Sequence, residues 1–117
     1  MNREILKQAG VDYDKGVDRF LGDVELYEMI LQHFLEDNNL ERAELSYKSN
    51  DYELLQKQVH EVKGMSGNTD MTALYKSSSE LVALLRGKNF TDAELKNAYE
   101  SFAGDYKKAL AGIKNAM

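Results

Sequence analysis

One histidine and one lysine lie within a single helical turn of the segment VHEVKGMSGN, residues 59 to 68. His60 and Lys63 are accompanied there by two glycines, Gly64 and Gly67. An imidazole has a lone pair that can act as a nucleophile near neutral pH, and histidine forms covalent intermediates. A lysine three residues further along a helix brings its ammonium group to the same place, where it can neutralise a phosphoryl group. The segment therefore indicates phosphoryl chemistry at His60.

The apolar residues near His60 fall on the opposite face of the predicted helix. With a rotation of about 100° per residue, Val59 and Val62 point away from His60. Their core face contains Leu55, Val59, Val62, Met65, Ser66 and Thr69. The face of His60 contains Glu53, Gln56, Lys57, Lys63, Gly64 and Gly67. We therefore expect an exposed His60 rather than a buried structural histidine.

The two glycines beside His60 are unusual in a helix, since each destabilises it by about 1 kcal/mol relative to alanine. If the glycines served close packing between helices, they would lie on the apolar face. The helical rotation of about 100° per residue instead places Gly64 and Gly67 on the face of His60. A helix that ends near Gly67 is a second explanation for that residue. The functional explanation is that the missing Cβ atoms leave room for a large partner to reach the imidazole.

Helix-end signals divide the chain before His60 into shorter segments. A short helix is predicted to begin after Asp12 or Asp14 and to end near Gly22. The next helix should begin with Asp23 as its N-cap, and a short helix follows it over residues 40–48. We expect the apolar face of the helix after Asp23 to contain Leu26, Met29, Ile30, Phe34 and Leu35.

The helix that carries His60 is predicted to begin at a capping box made by Asn50 and Glu53. It should end shortly before Asp70, because Asp70 or Thr72 can serve as the N-cap of the helix that follows. That following helix is predicted to close at residues 86–87, an arginine and a glycine.

The last predicted helix begins at a second capping box, Thr91 and Glu94. Its apolar residues recur in steps of four and three: Leu95, Tyr99, Phe102, Tyr106, Ala109 and Ile113. Long amphipathic segments joined by short connections are typical of helix bundles. The sequence thus predicts an all-α fold, an antiparallel four-helix bundle.

Length and composition limit the functional classes. A chain of 117 residues forms one domain, residues 1–117, and the absence of cysteine excludes disulfides and thiolate catalysis. A net charge of −5 disfavours nucleic acid as a partner. Besides His60 the chain has one histidine, His33, without the spacing of a metal site, so we expect no metal and no cofactor. The polar N-terminal segment and the lack of a long apolar run predict a cytoplasmic protein without a membrane span.

The pattern H-x-x-K-G at His60, Lys63 and Gly64 resembles the signature of the histidine-containing phosphotransfer (HPt) domain, the relay module of multistep two-component signalling. The segment GVDRFLGDVELYEMILQHF, residues 16–34, resembles the opening helices of such domains. ERAELSYKSNDYELLQKQVHEVKG, residues 41–64, resembles their approach to the histidine. The resemblance covers about residues 10 to 115. It implies a four-helix bundle with an additional short N-terminal helix.

The resemblance implies a role for each matching residue. His60 would be the phosphorylated residue, Lys63 its electrostatic partner, and Gly64 the residue that keeps the approach open. A docking surface would be bordered by Gln56 and Gly67. Independently of the resemblance, Lys57, which forms an i, i+4 pair with Glu53 on the same face, is a further docking candidate. The implied partners are the receiver domains of response regulators, which supply an aspartate and Mg²⁺, together with a hybrid sensor histidine kinase. The protein is expected to be a monomeric phosphoryl carrier without autokinase activity.

The same residues fit two alternatives to the relay. HEVK also resembles the phosphoacceptor box of a sensor kinase, but Gly64 and Met65 follow it here, the chain has no proline, and it has no glycine-rich nucleotide loop. The other alternative is a helical adaptor that docks a receiver domain without phosphotransfer. The chain also departs from the family near the helix end, where Thr69 and Asp70 replace an aliphatic residue and a glycine, which we interpret as a different helix end.

Overall fold

The fold is entirely α-helical, and the computed structural model describes residues 1–117. It has seven α-helices and a 3₁₀ turn at Phe34–Glu36, with no β-strand. The helices are α1 (Arg3–Gln8), α2 (Tyr13–Arg19), α3 (Val24–His33), α4 (Asn39–Lys48), α5 (Tyr52–Asn68), α6 (Thr72–Gly87) and α7 (Asp92–Ala116). The predicted all-α class is confirmed.

Short polar side chains mark the beginning of most helices. At α3, the backbone N–H of Leu26 donates a 3.0 Å hydrogen bond to the carboxylate of Asp23. At α7, Glu94 N–H donates to Thr91 Oγ1 at 3.1 Å, and Thr91 N–H donates to Glu94 Oε1 at 2.9 Å. These bonds satisfy backbone donors that have no partner within the helix. The Asp23 cap and the Thr91–Glu94 capping box are confirmed.

The four C-terminal helices contact one another in sequence. Helix α5 packs against α4 and α6, and α6 packs against α7. The ring of Tyr47 in α4 stacks on that of Tyr99 in α7 with 4.0 Å between ring centroids, which links the first of these helices to the last. The predicted apolar seam of α7 is buried throughout: Leu95, Tyr99, Phe102, Tyr106, Ala109 and Ile113.

The first helix, α1, was not predicted from the sequence. It has only six residues, of which one, Leu6, is fully buried. Helix α1 packs against α7 at Gly112, where a Cβ atom would collide with the side chain of Ala9. So short a helix has too few turns to show a periodic apolar pattern, and its contact with α7 keeps it in place.

The predicted apolar face of α3 is wrong in part. Leu26 is 38% exposed and Met29 is 58% exposed, while Tyr27 and Leu31 are fully buried. The hydroxyl of Tyr27 donates a 2.7 Å hydrogen bond to the carbonyl of Thr69. The rotation of α3 thus buries Tyr27, whose hydroxyl reaches a backbone acceptor 42 residues along the chain. Sequence periodicity does not predict such a contact.

None of the seven helices combines the length and apolarity that are needed to cross a membrane.

Candidate functional site

Helix α5 begins one residue later than predicted. Its N-cap is Asp51, whose Oδ1 accepts a 3.2 Å hydrogen bond from the N–H of Leu54. Asn50 instead has a φ of 56° and belongs to the tight connection from α4. The Oε1 atom of Glu53 lies 4.0 Å from Lys57 Nζ, and the Glu53 side chain accepts no hydrogen bond from the backbone of a cap residue. The predicted Asn50–Glu53 capping box is therefore wrong, because the turn requires a left-handed residue where an N-cap would be extended.

The rotation of α5 agrees with the face predicted for it. Val59 and Val62 are fully buried, and His60 between them is exposed. The rest of the predicted core face is also buried at Leu55, Ser66 and Thr69, with Met65 half-buried. On the other face Gly64 is exposed and Lys63 is half-buried. The imidazole is therefore accessible to another molecule.

His60 borders a surface depression of about 520 Å³ where α2, α5 and α6 meet. We call it the His60 depression. It is lined by Lys15, Arg19, His60, Lys63, Gly64, Ser66, Gly67, Asn68, Asp70, Thr72 and Tyr75. Of the residues proposed from sequence, it unites His60, Lys63, Gly64 and Gly67. Its charged lining comprises three cations and one carboxylate, in a protein with a net charge of −5.

The two glycines of α5 have different surroundings. No atom lies within 4 Å of the Cβ position of Gly64, so the space above it is open. At Gly67 a Cβ atom would lie 2.9 Å from the Cδ1 and Cε1 atoms of the Tyr75 ring. The interpretation of Gly67 as clearance for a partner is therefore wrong, because Tyr75 of α6 occupies that space.

The one carboxylate of the His60 depression is engaged by an arginine. Arg19 Nε donates to Asp70 Oδ2 at 2.8 Å, and Arg19 Nη2 donates to Asp70 Oδ1 at 3.2 Å. The Asp70 side chain is 5% exposed and that of Arg19 is 46% exposed. The hydrogen bond to Asp70 raises the pKa of the Arg19 guanidinium above its ordinary value. This bidentate ion pair joins α2 to the end of α5.

Asp70 does not cap the next helix, contrary to the expectation for this helix end. The N-cap of α6 is Met71, with no side-chain hydrogen bond, and Asp70 has a φ of 56°. Thr69 ends α5, and its Oγ1 donates a 2.8 Å hydrogen bond to the carbonyl of Met65. The backbone N–H of Asp12 donates to the carbonyl of Asp70 at 2.9 Å. Thr69 and Asp70 thus anchor the N-terminal helices instead of starting α6.

The remaining docking candidates lie outside the His60 depression. Gln56 is half-buried in a separate depression with Tyr52, Arg86 and Phe90. Lys57 is exposed and faces Glu53 along its own helix. Gln56 and Lys57 therefore do not line the His60 depression, although they lie one helical turn before His60 on the same face of α5.

The sequence does not predict several lining residues of the His60 depression, among them Lys15, Arg19 and Tyr75. Lys15 and Arg19 belong to α2, and Tyr75 belongs to α6. They are distant from His60 along the chain, so no local spacing connects them to it. The one available signal was the four-residue spacing of Lys15 and Arg19, which places two cations on one side of a helix.

No three histidine, cysteine, aspartate or glutamate side chains are grouped so that they could hold a metal ion. The other histidine, His33, is exposed on α3, with its Nδ1 4.0 Å from Glu36 Oε2. The chemistry available at the His60 depression is therefore that of an accessible imidazole beside cationic side chains.

Comparison with protein-family models, with curated proteins and with solved structures gave no match to this chain.

Proposed function

We propose that this protein is a histidine phosphotransfer protein that relays a phosphoryl group between the aspartates of receiver domains through His60. The observation that carries the proposal is the exposed imidazole of His60 in a depression with Lys63 and the open position at Gly64. The H-x-x-K-G resemblance to HPt domains supports the same function.

The transfer step needs only groups that the two proteins would bring. A ring nitrogen of neutral His60 attacks the phosphorus of the receiver's aspartyl phosphate. A P–N bond forms, the P–O bond to the aspartate breaks, and its electron pair leaves with the carboxylate. The proton on the other ring nitrogen can then pass to water. The reverse step delivers the phosphoryl group to a second receiver.

Lys63 and Gly64 have separate tasks in this proposal. The ammonium of Lys63 would offset the negative charge of the phosphoryl oxygens. The missing Cβ of Gly64 would let the receiver bring its aspartate within bonding distance of the imidazole. The Mg²⁺ ion belongs to the receiver, and His60 itself uses neither a metal nor a nucleotide.

The proposal also includes the finer architecture and the cellular setting. We infer that α4 to α7 form an antiparallel four-helix bundle to which the N-terminal helices are added, supported by the contacts between successive helices and by the Tyr47–Tyr99 stack. The protein would act as a monomer in the cytoplasm. Its partners would be response-regulator receivers and a hybrid sensor histidine kinase, and it would have no autokinase activity.

A phosphotransfer assay with purified receiver domains tests the function. A receiver phosphorylated with ³²P should label the wild-type protein, and His60→Gln should remove the label. His33→Gln is the matched control, since it removes the other histidine, which is exposed on α3, and should label like the wild type. A label that survives His60→Gln would exclude His60 as the acceptor. Receiver binding without any label would favour the adaptor alternative.

A further inference from the structure

Lys15 approaches the candidate phosphoryl site from a different helix than His60 does. It lies on α2, is exposed, and lines the His60 depression together with Lys63 of α5. The depression therefore receives a lysine from each of two helices.

The charges of this depression are not balanced. Its cations are Lys15, Arg19 and Lys63, and its one carboxylate, Asp70, is held by Arg19 at 2.8 Å. Every ion pair within 4.0 Å in this protein involves residues other than Lys15 and Lys63. Asp12 accepts a hydrogen bond from the backbone N–H of Lys15, and its carboxylate takes part in none of these ion pairs. Two lysines are thus free to bind an anion beside His60.

The position of Lys15 is fixed by its helix. Arg19, one turn further along α2, is joined to Asp70 by two hydrogen bonds. The residue that caps α2, Asp12, donates its backbone N–H to the carbonyl of the same Asp70 at 2.9 Å. Both ends of α2 are therefore attached to the residue that follows the end of α5. This keeps the backbone of Lys15 at the depression and lowers the entropy lost when its side chain binds.

We propose that Lys15 and Lys63 together form an oxyanion-binding site that holds the phosphoryl group against His60. The inference deepens the proposed function and rests on it for the identity of the anion. A dianionic phosphoryl group has enough oxygens to accept from both ammonium groups at once. Lys15 would then be a binding residue for the phosphoryl group, contributed from outside the segment that carries the histidine.

Binding of inorganic phosphate can be measured without any receiver. In a two-dimensional NMR titration at constant ionic strength, the backbone amide of Gly64 should shift in a saturable way with phosphate and not with chloride. Lys15→Gln should weaken the apparent affinity about three- to fivefold, the range expected for one solvent-exposed ion pair. Lys15→Arg should retain the affinity. Lys108→Gln, an equal charge change at an exposed residue of α7 outside the depression, should behave like the wild type.

A parallel assay measures transfer from a phosphorylated receiver to the same variants. Lys15→Gln should slow the labelling of His60 by a similar factor of about three to five, with a stronger dependence on salt in the wild type than in the variant. A thermal melt of each variant confirms that an exposed substitution has left the fold intact.

The two assays separate the two proposals. If phosphate binding depends on Lys15 and no receiver labels His60, the anion site stands and the relay function does not. If His60 is labelled while Lys15→Gln matches Lys108→Gln in both assays, the relay stands and the role of Lys15 is refuted. Absence of saturable phosphate binding by the wild type also refutes it.

Discussion

Gly16 and Gly64 belong to regions of the molecule that use a missing Cβ in opposite ways. At the junction of α2 and α3, the ring of Tyr27 fills the position that a Cβ of Gly16 would take. On the solvent face of α5, nothing lies within 4 Å of the corresponding position of Gly64. One glycine makes room for a residue of the same chain, and the other leaves space that the chain does not fill.

The difference shows that a glycine in a helix is no functional signal by itself. Both residues have ordinary helical backbones, and both lower helix stability relative to alanine. What distinguishes them is whether a neighbouring element occupies the space. Gly67 is intermediate between the two in how its Cβ position is occupied. It shares a helix face with Gly64, but Tyr75, which is itself 43% exposed, covers it.

Gly16→Ala should have the largest effect on stability. Tyr27 is fully buried and its hydroxyl is held by the carbonyl of Thr69, so the ring cannot move aside without breaking that bond. We expect the free energy of unfolding to fall by about 2 kcal/mol, as is typical of overpacked interiors. Chemical denaturation measures it. Gly104→Ala is the control, because that glycine of α7 has open space around it and should gain about 1 kcal/mol. Equal stabilities for the two variants would contradict the comparison.

Gly64→Ala should have effects of opposite sign on stability and on transfer. The helix should gain about 1 kcal/mol, because alanine is the better helix former and no atom opposes the new methyl group. Phosphotransfer from a receiver should slow by about tenfold, because the methyl group would enter the space reserved for the partner. Gly104→Ala provides the same gain in stability without the loss of rate. An unchanged transfer rate would show that steric access is not the role of Gly64.

Gly67→Ala should have the smallest net effect, within about 0.5 kcal/mol of the wild type. The gain in helix propensity is offset by the displacement of the Tyr75 ring, which can move because it is partly exposed. In a Tyr75→Ala background the same substitution should instead stabilise by about 1 kcal/mol. This double-mutant cycle isolates the contact between the two residues. If Gly67→Ala has the same effect in both backgrounds, Tyr75 does not explain the glycine.

The parts of the fold that could be predicted are those with long, repeated patterns. The buried seam of α7 and the core face of α5 are confirmed because each contains several turns of apolar residues at helical spacing. The Thr91–Glu94 capping box is confirmed because both partners lie within one turn. Local features of this kind depend little on the rest of the chain.

The parts that failed depend on contacts between distant segments. Helix α1 is too short for a periodic signal, and α3 buries Tyr27, whose hydroxyl bonds to the distant Thr69. The sequence predicts Asp70 as the N-cap of a helix, whereas in the structure its carboxylate forms an ion pair with Arg19. In each of these cases the local sequence is compatible with more than one structure. Contacts with residues far along the chain determine which structure forms.

The same division applies to the candidate site. The sequence alone determined that His60, Lys63 and Gly64 share the solvent face of one helix, because helical rotation follows from residue spacing. Only the tertiary structure decided that Gly64 is open and Gly67 is covered, and that Gln56 and Lys57 do not line the His60 depression. It also decided that Lys15 lines the same depression as the histidine, because the ion pair of Arg19 with Asp70 attaches α2 to the end of α5. Spacing along a chain specifies the faces of a helix, whereas the occupants of the space beyond each face are specified by packing.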